Sequence, residues 1–308
     1  MNLLPSPLFY VPNKDTYPPF KNGLYLEEYF LEYMKKNNLT HDSQGRLYLP
    51  ILWTNFQIED WFNARKAEMQ YILDEYIANT KTMDNQNNKG YFTVVQYDDG
   101  PLLKLPENTL VYGACSGTIP IPLIYQDINN TLDTKYNKFL ECNQNIDARN
   151  ILCSFVGTNT NYVRQTIFNT LGKNSKFILN YTNNWSASVD IGKQYNFIDT
   201  TLKSKFALAP RGYGRSSFRF FEIIKLGAIP VYVWNDIEWL PYKDHIDYSE
   251  FSVSINVADI GKLPEILESI LASSKYNTML EKLNQIKKDK IFDLDYLSNY
   301  ISMCKSYE

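Results

Sequence analysis

Histidine is almost missing from this sequence of 308 residues, which carries only His41 and His245. Cysteine is sparse as well, at Cys115, Cys142, Cys153 and Cys304, and no two of the four form a Cys-x-x-Cys pair. The usual Cys/His zinc frameworks therefore do not fit, no metal is expected, and nothing in the spacing supports a Cys–His nucleophile. Four scattered thiols suit a reducing compartment. Long apolar runs are also lacking: no stretch approaches the ~20 apolar residues that span a bilayer. The first ten residues have no basic n-region, and Pro5 and Pro7 interrupt their apolar run, unlike a secretory leader. These absences predict a soluble, cytoplasmic chain with no membrane span. A basic stripe of the kind nucleic-acid binders show is missing too. The formal net charge is −3, and the densest basic stretch, Lys287-Lys288-Asp289-Lys290, is broken by an acid, as on a solvated helix face. Nucleic acid is not an expected partner.

Apolar material, by contrast, is ample. Hydrophobic residues make up 44% of the chain, enough for a sizeable core, and the length fits two domains at ~100–200 residues each. The spacing predicts helices over 25–36 and 58–77, a short strand over 47–53 and an exposed loop over 80–90. A β-branched and aromatic run over 91–97 reads as a buried strand that Asp98-Asp99-Gly100-Pro101 ends. Short strands over 110–113 and 119–123 follow, the second at an edge because of its prolines. A polar segment over 129–150 marks the expected boundary between an N-terminal domain (1–145) and a C-terminal one (146–290). From 151 the pattern becomes regular. Strands over 151–156, 177–179, 206–209 and 229–233 alternate with helices over 162–171, 195–204, 217–225 and 263–273. That alternation predicts an α/β fold, a parallel sheet with helices on both faces. The residues over 276–302 read as helical, and 291–308 as a final helix packing back on the N-terminal domain.

The segment from Phe206 to Val231 carries the chemistry. A short apolar strand stops at Pro210, a loop follows with Arg211, Gly212, Gly214 and Arg215, and Ser216 or Ser217 caps a helix. A helix N-terminus presents unpaired N–H groups and about half a positive charge, so it attracts an anion. The glycines let a ligand approach the backbone. Arg211, Arg215 and Arg219 add guanidinium forks that suit phosphate oxygens. In a doubly wound sheet, such a loop lies at the carboxyl ends of the strands, where ligands bind. Glu222 lies three residues past Arg219, on the same helix face. It is placed either to accept hydrogen bonds from a ribose or to form a simple surface pair with Arg219.

Pro210-Arg211-Gly212, then Ser217-Phe218-Arg219-Phe220 with Glu222, then Gly227-Ala228-Ile229-Pro230-Val231 resemble the signature of the exostosin family of glycosyltransferases (GT47-like). The flanks are similar: Trp239-Leu240-Pro241-Tyr242 with Ile246-Asp247-Tyr248 downstream, and Ser154-Phe155-Val156-Gly157 with Tyr162-Val163-Arg164 upstream. The resemblance covers roughly 151–271, and the first 90 residues match nothing. It implies a GT-B architecture, two Rossmann-like domains facing a cleft, the first on the acceptor side and the second binding the donor. It implies an inverting transfer from a nucleotide sugar, usually UDP-linked, to a glycan or glycoconjugate acceptor in polysaccharide biosynthesis. The nucleotide sugar is the co-substrate and no further cofactor is required. Carried over by position, Arg211, Gly212, Ser216, Ser217 and Arg219 would hold the diphosphate and Glu222 the ribose. Arg164 is a further cation, either at the donor or on a solvated helix face.

An inverting transfer needs a base for the acceptor hydroxyl. Asp98 and Asp99, at the end of the 91–97 strand, are the candidates; the alternative is that they only end the strand. Asp236 is a second choice and could touch the donor sugar. Tyr213, Trp234 and Trp239 could stack on sugar rings, or the two tryptophans could be core. Two function classes stay open: an active glycosyltransferase, and a degenerate nucleotide-sugar-binding or scaffold protein.

Overall fold

A computed structural model describes residues 3–11, 23–83, 89–143, 148–182 and 190–303. These fall into two compact units. Of the described residues, the first holds those up to 126 together with 293–303, and the second holds those from 127 to 292.

The first unit opens with α1 (Leu26–Lys36), whose Leu26, Phe30, Leu31 and Met34 are buried. The spacing of these four puts them on one face. Glu27 and Glu28 lie in its first turn and Lys35 and Lys36 in its last, the order the helix dipole favours. Next come β1 (Leu47–Tyr48), α2 (Trp53–Gln57), α3 (Phe62–Met83), β2 (Tyr91–Val95), β3 (Thr109–Gly113) and β4 (Ile119–Pro120). The four strands form a parallel sheet in the order β1-β2-β3-β4. Every residue of β2 is buried. The side chain at its centre, Thr93, is satisfied by the Leu49 carbonyl and the Trp53 indole N–H.

Three expectations are corrected here. The run over 47–53 pairs only at Leu47–Tyr48, because Pro50 has no N–H to donate to a ladder. The helix expected over 58–77 starts later, at Phe62, and a separate short helix, α2, precedes it across a turn at 58–61. The loop expected over 80–90 begins late: α3 continues to Met83, and 84–88 lie outside the described residues, as does Cys304.

The second unit begins with α4 (Thr131–Cys142), in a segment read from sequence as a polar boundary. Leu132, Tyr136 and Phe139, at helical spacing, pack against Phe197, Ile198, Leu202 and Leu226. That packing places the division after Gln126 rather than after 145. Strand and helix then alternate: β5 (Ile151–Thr158), α5 (Tyr162–Leu171), β6 (Phe177–Thr182), α6 (Ile191–Leu202), β7 (Ser204–Pro210), α7 (Phe218–Lys225), β8 (Ile229–Trp234), β9 (Val253–Asn256), α8 (Leu263–Ala272) and α9 (Lys275–Lys288). The sheet is parallel throughout, in the order β6-β5-β7-β8-β9. The order reverses between β5 and β7.

The helix expected over 276–302 breaks after α9, where Lys290 takes φ 53°, a left-handed value that no α-helix continues through. The last helix, α10 (Leu294–Met303), belongs to the first unit. There the Tyr29 hydroxyl donates to Asp295 at 2.6 Å and the Tyr33 hydroxyl to Asn299 at 2.9 Å. The chain is thus α/β, with two parallel sheets flanked by helices, the make-up expected of a GT-B-like fold. Among the described residues no helix is long and apolar enough to cross a membrane.

Candidate functional site

The reversal between β5 and β7 leaves a crevice beyond their carboxyl ends, the usual ligand position in an open α/β sheet. Two helices begin there. Asn161 caps α5 by accepting the Val163 N–H at 3.0 Å, and Ser217 caps α7 by accepting that of Arg219 at 3.3 Å. Ser216 and Ser217 are both buried.

The loop after β7 is built around arginines. Arg211 donates through Nη1 to Asn235 Oδ1 at 2.7 Å and Asp236 Oδ1 at 2.9 Å, and through Nη2 to the Tyr213 carbonyl at 2.9 Å. Arg215 donates through Nε to Asp236 Oδ2 at 3.0 Å, and its guanidinium lies over the Trp239 ring. Asp236, from the loop after β8, thus joins the two. Burial works against its charge, but the Ile237 N–H, Arg215 and Arg211 outweigh it and hold the carboxyl below the usual carboxylate range.

Two polar atoms in this crevice are shielded from solvent and have no hydrogen-bond partner among the described residues: Arg211 Nε and Thr160 Oγ1. A shielded donor without an acceptor costs stability, so this pair marks where an anion would be welcome. Thr160 escaped the sequence reading. Its only signal was its place in a run of hydroxyl and amide residues, 158–161, just before a helix. A Cβ on Gly212 would come within 3.3 Å of Arg164 Nη2 and 3.7 Å of Thr160 Oγ1. The glycine therefore allows the loop to lie against these groups.

Other predicted residues sit differently. Arg164 is buried, not solvated. Its Nε donates to the Arg211 carbonyl at 3.1 Å, Nη1 to the Thr158 carbonyl at 2.6 Å and Nη2 to the Pro210 carbonyl at 3.3 Å. It ties the loops after β5 and β7 together and is not presented as a phosphate-binding fork. Arg219 donates through Nε to the Val156 carbonyl at 3.1 Å, lies 3.7 Å over the Phe197 ring and pairs with Glu222. Glu222 is 3% exposed, so the surface-pair reading is replaced by a buried one. A ribose contact would require that pair to open. Trp239 is buried beneath Arg215 and the Trp234 indole donates to Ser254 at 3.0 Å. Tyr213 is 61% exposed, and Tyr162, named in the sequence only within the upstream motif, is 60% exposed.

In the first unit, Asp98 and Asp99 occupy a turn closed by the Gly100 N–H on the Tyr97 carbonyl at 3.0 Å. Gln57 grips the turn's far side through the Gly100 carbonyl and the Leu102 N–H. Gly100 supplies the φ of +78° that the turn requires, so strand termination is a role these residues do play. The most unusual acid of this unit is Glu27, which was not singled out. It is 2% exposed and accepts from the Thr54 N–H, the Thr54 hydroxyl and the Gln96 N–H. Burial pushes its carboxyl up to about 7, and the Gln96 and Thr54 donors pull against that rise.

Among the described residues, no three His, Cys, Asp or Glu side chains gather where they could hold a metal ion. A cavity of about 790 Å³ opens elsewhere in the second unit, against α8 and α9, and is lined by Lys243, His245, Tyr248, Lys275 and Met279 among others. None of the arginines borders it, so the loop geometry, not this cavity, identifies the site.

Residues 139–270 match the family model described as the Exostosin GT47 domain. A probable glycosyltransferase of Arabidopsis thaliana is 28% identical over 141 residues, 46% of this chain and 28% of that protein. An exostosin-1 homolog of Caenorhabditis elegans is 32% identical over 76 residues, 25% of this chain and 20% of that protein. The matched segments thus span under a third of the relatives' own length. A crystal structure of a glycosyltransferase from Rickettsia africae aligns with 96% of this chain and 85% of that one, at 11% identity and a TM-score of 0.39. The matched stretch contains every residue of the arginine crevice, so it is at the candidate site that the chain is similar to the Exostosin GT47 domain.

Proposed function

We propose that the protein is a glycosyltransferase that moves a sugar from a UDP-linked donor to a glycan acceptor with inversion at the anomeric carbon. The observation that carries this reading is the pair of unpartnered donors, Arg211 Nε and Thr160 Oγ1, between two capped helix N-termini. A diphosphate supplies the acceptors and the negative charge that this crevice lacks.

In the transfer, the acceptor oxygen attacks the anomeric carbon as the bond to the phosphate oxygen breaks. The departing diphosphate gathers negative charge. Fixed cations and helix N-termini stabilise that charge in the transition state more than in the bound donor, which is what lowers the barrier. Arg211, Arg215 and the backbone at Gly212, Ser216 and Ser217 would do this work. Glu222 would take the ribose hydroxyls once released from Arg219. Arg164 would act at one remove, through the carbonyls it holds. The acceptor's proton must go to a base, and Asp98 or Asp99 in the first unit is the proposed one. Asp98→Asn and Asp99→Asn, made separately, test this assignment: wild-type turnover in both would remove it.

The donor reading is tested by thermal shift against UDP, GDP and their sugars. A ligand that binds only the folded state stabilises by RT ln(1 + [L]/Kd), about 2.7 kcal/mol at one hundred times Kd. UDP is expected to raise the melting temperature of the wild type, and Arg211→Ala to abolish the rise. Folded protein that responds to no nucleotide would overturn the donor reading.

A further inference from the structure

We propose that Asp236 is a positioning residue: its carboxylate ties Arg211 and Arg215 into one anion clamp and does not itself touch the donor sugar. The proposal rests on the donor reading above and names how that site is held.

The two carboxylate oxygens serve different arginines, Oδ1 taking Arg211 Nη1 at 2.9 Å and Oδ2 taking Arg215 Nε at 3.0 Å. Neither guanidinium is used up. Arg211 keeps its Nε, and Arg215 keeps both Nη groups, with no partner among the described residues. Two guanidiniums side by side repel each other, and that repulsion would otherwise favour Arg215 swinging into solvent. One carboxylate between them offsets the repulsion and leaves an excess positive charge in the crevice.

The rest of the clamp is fixed from behind. Arg215 lies over Trp239, and the Tyr232 hydroxyl donates to the Arg215 carbonyl at 2.8 Å. Arg211 also donates to Asn235, whose Nδ2 donates to the Tyr162 hydroxyl at 2.8 Å. The Asp236 carboxyl is held below the usual range by these same neighbours, so it stays ionised wherever a diphosphate does. The Asp236 oxygens are oriented by the two arginines and the Ile237 N–H, whereas a diphosphate can use the arginine donors that remain.

Binding of UDP, uridine and UDP-glucose to wild type, Asp236→Asn and Asp236→Ala, with GDP and GDP-mannose in parallel, separates the possibilities. Calorimetry serves for the nucleotides and ligand-observed NMR for uridine. The expected result is a loss of about tenfold or more for UDP in the alanine variant, and the same factor for UDP-glucose. Uridine should bind as before, which a general structural defect would not permit. The asparagine variant should fall between, because its amide oxygen still serves one arginine. Should the alanine variant fail to fold, the isosteric asparagine variant decides alone. A loss confined to UDP-glucose overturns the proposal in favour of a sugar contact. Tighter UDP binding overturns it in favour of a carboxylate that competes with the ligand. Unchanged binding shows that the arginines need no tie. Wild type that binds neither UDP nor GDP overturns the donor reading itself.

Discussion

Arg149 and Arg211 lie at opposite ends of the second unit's sheet and make opposite use of the same side chain. At the amino end, Arg149 is 3% exposed and donates to the Thr201, Ser204 and Leu226 carbonyls at 3.2, 2.8 and 3.0 Å, with the Phe139 ring against its guanidinium. No carboxylate pairs with it among the described residues, and burial pushes its pKa down. At the carboxyl end, Arg211 has a carboxylate, an amide and a carbonyl, and still one nitrogen without an acceptor. The first arrangement is closed and joins the end of α6, the start of β7 and the end of α7. The second is unfinished. Arg164 lies at the ligand end of the sheet but is of the first kind, bonded to three carbonyls. Position in the sheet therefore does not separate holding arginines from binding ones; the partners do.

The sharpest way to break this contrast is to truncate both. Arg149→Ala strands three carbonyls and should cost at least about 3 kcal/mol in chemical or thermal unfolding, with nucleotide affinity retained in whatever remains folded. Arg211→Ala should cost much less stability and remove UDP binding. If the two variants exchange these phenotypes, the division is wrong.

Glu27 gives a second contrast, an acid buried in the first unit against bases buried in the second. Its carboxyl is raised from 4.5 to about 7 in the folded chain. The folded state therefore holds a proton that the unfolded state gives up. The stability from this group is full below about pH 4.5 and is lost as the pH rises through 7, about 3 kcal/mol in all at 1.36 kcal/mol per unit. Glu27→Gln should flatten the stability profile between pH 5 and pH 8, whatever it does to the absolute value. An unchanged slope in denaturant melts would show that Glu27 does not titrate in this range.

The smallest effect compares two caps. Ser217→Ala should cost about 1 kcal/mol and weaken UDP binding, because α7 starts at the crevice. Ser274 at the start of α9 makes no side-chain cap bond, and its alanine variant should melt like wild type. Equal shifts in differential scanning calorimetry would remove the distinction.

The α/β alternation over 151–233 was legible because each strand is a compact apolar run and each helix has a matching face. The loop from Pro210 to Ser217 was legible because glycine, arginine and a capping serine are local signals. What failed was whatever depends on partners. The apolar face of α4 is three residues in a polar sequence, and it becomes a helix face only against α6 and α7. The four-residue β9 gives no periodicity to read. The break after α9 falls at Lys290, with no glycine or proline to announce it. Charge is visible at Arg164 and Glu222, but the sequence does not show that one faces carbonyls and the other an arginine. Thr160 and Glu27 matter through shielding, which no local pattern encodes.

The placement of α10 has a consequence for biosynthesis. Its Asp295 and Asn299 accept the hydroxyls of Tyr29 and Tyr33 on α1, so residues translated before the second unit meet residues translated after it. The ribosome must deliver all of the second unit before the first can close. The first unit is thus begun before the second and completed after it, and until then α1 has one side uncovered, a natural landing place for a chaperone.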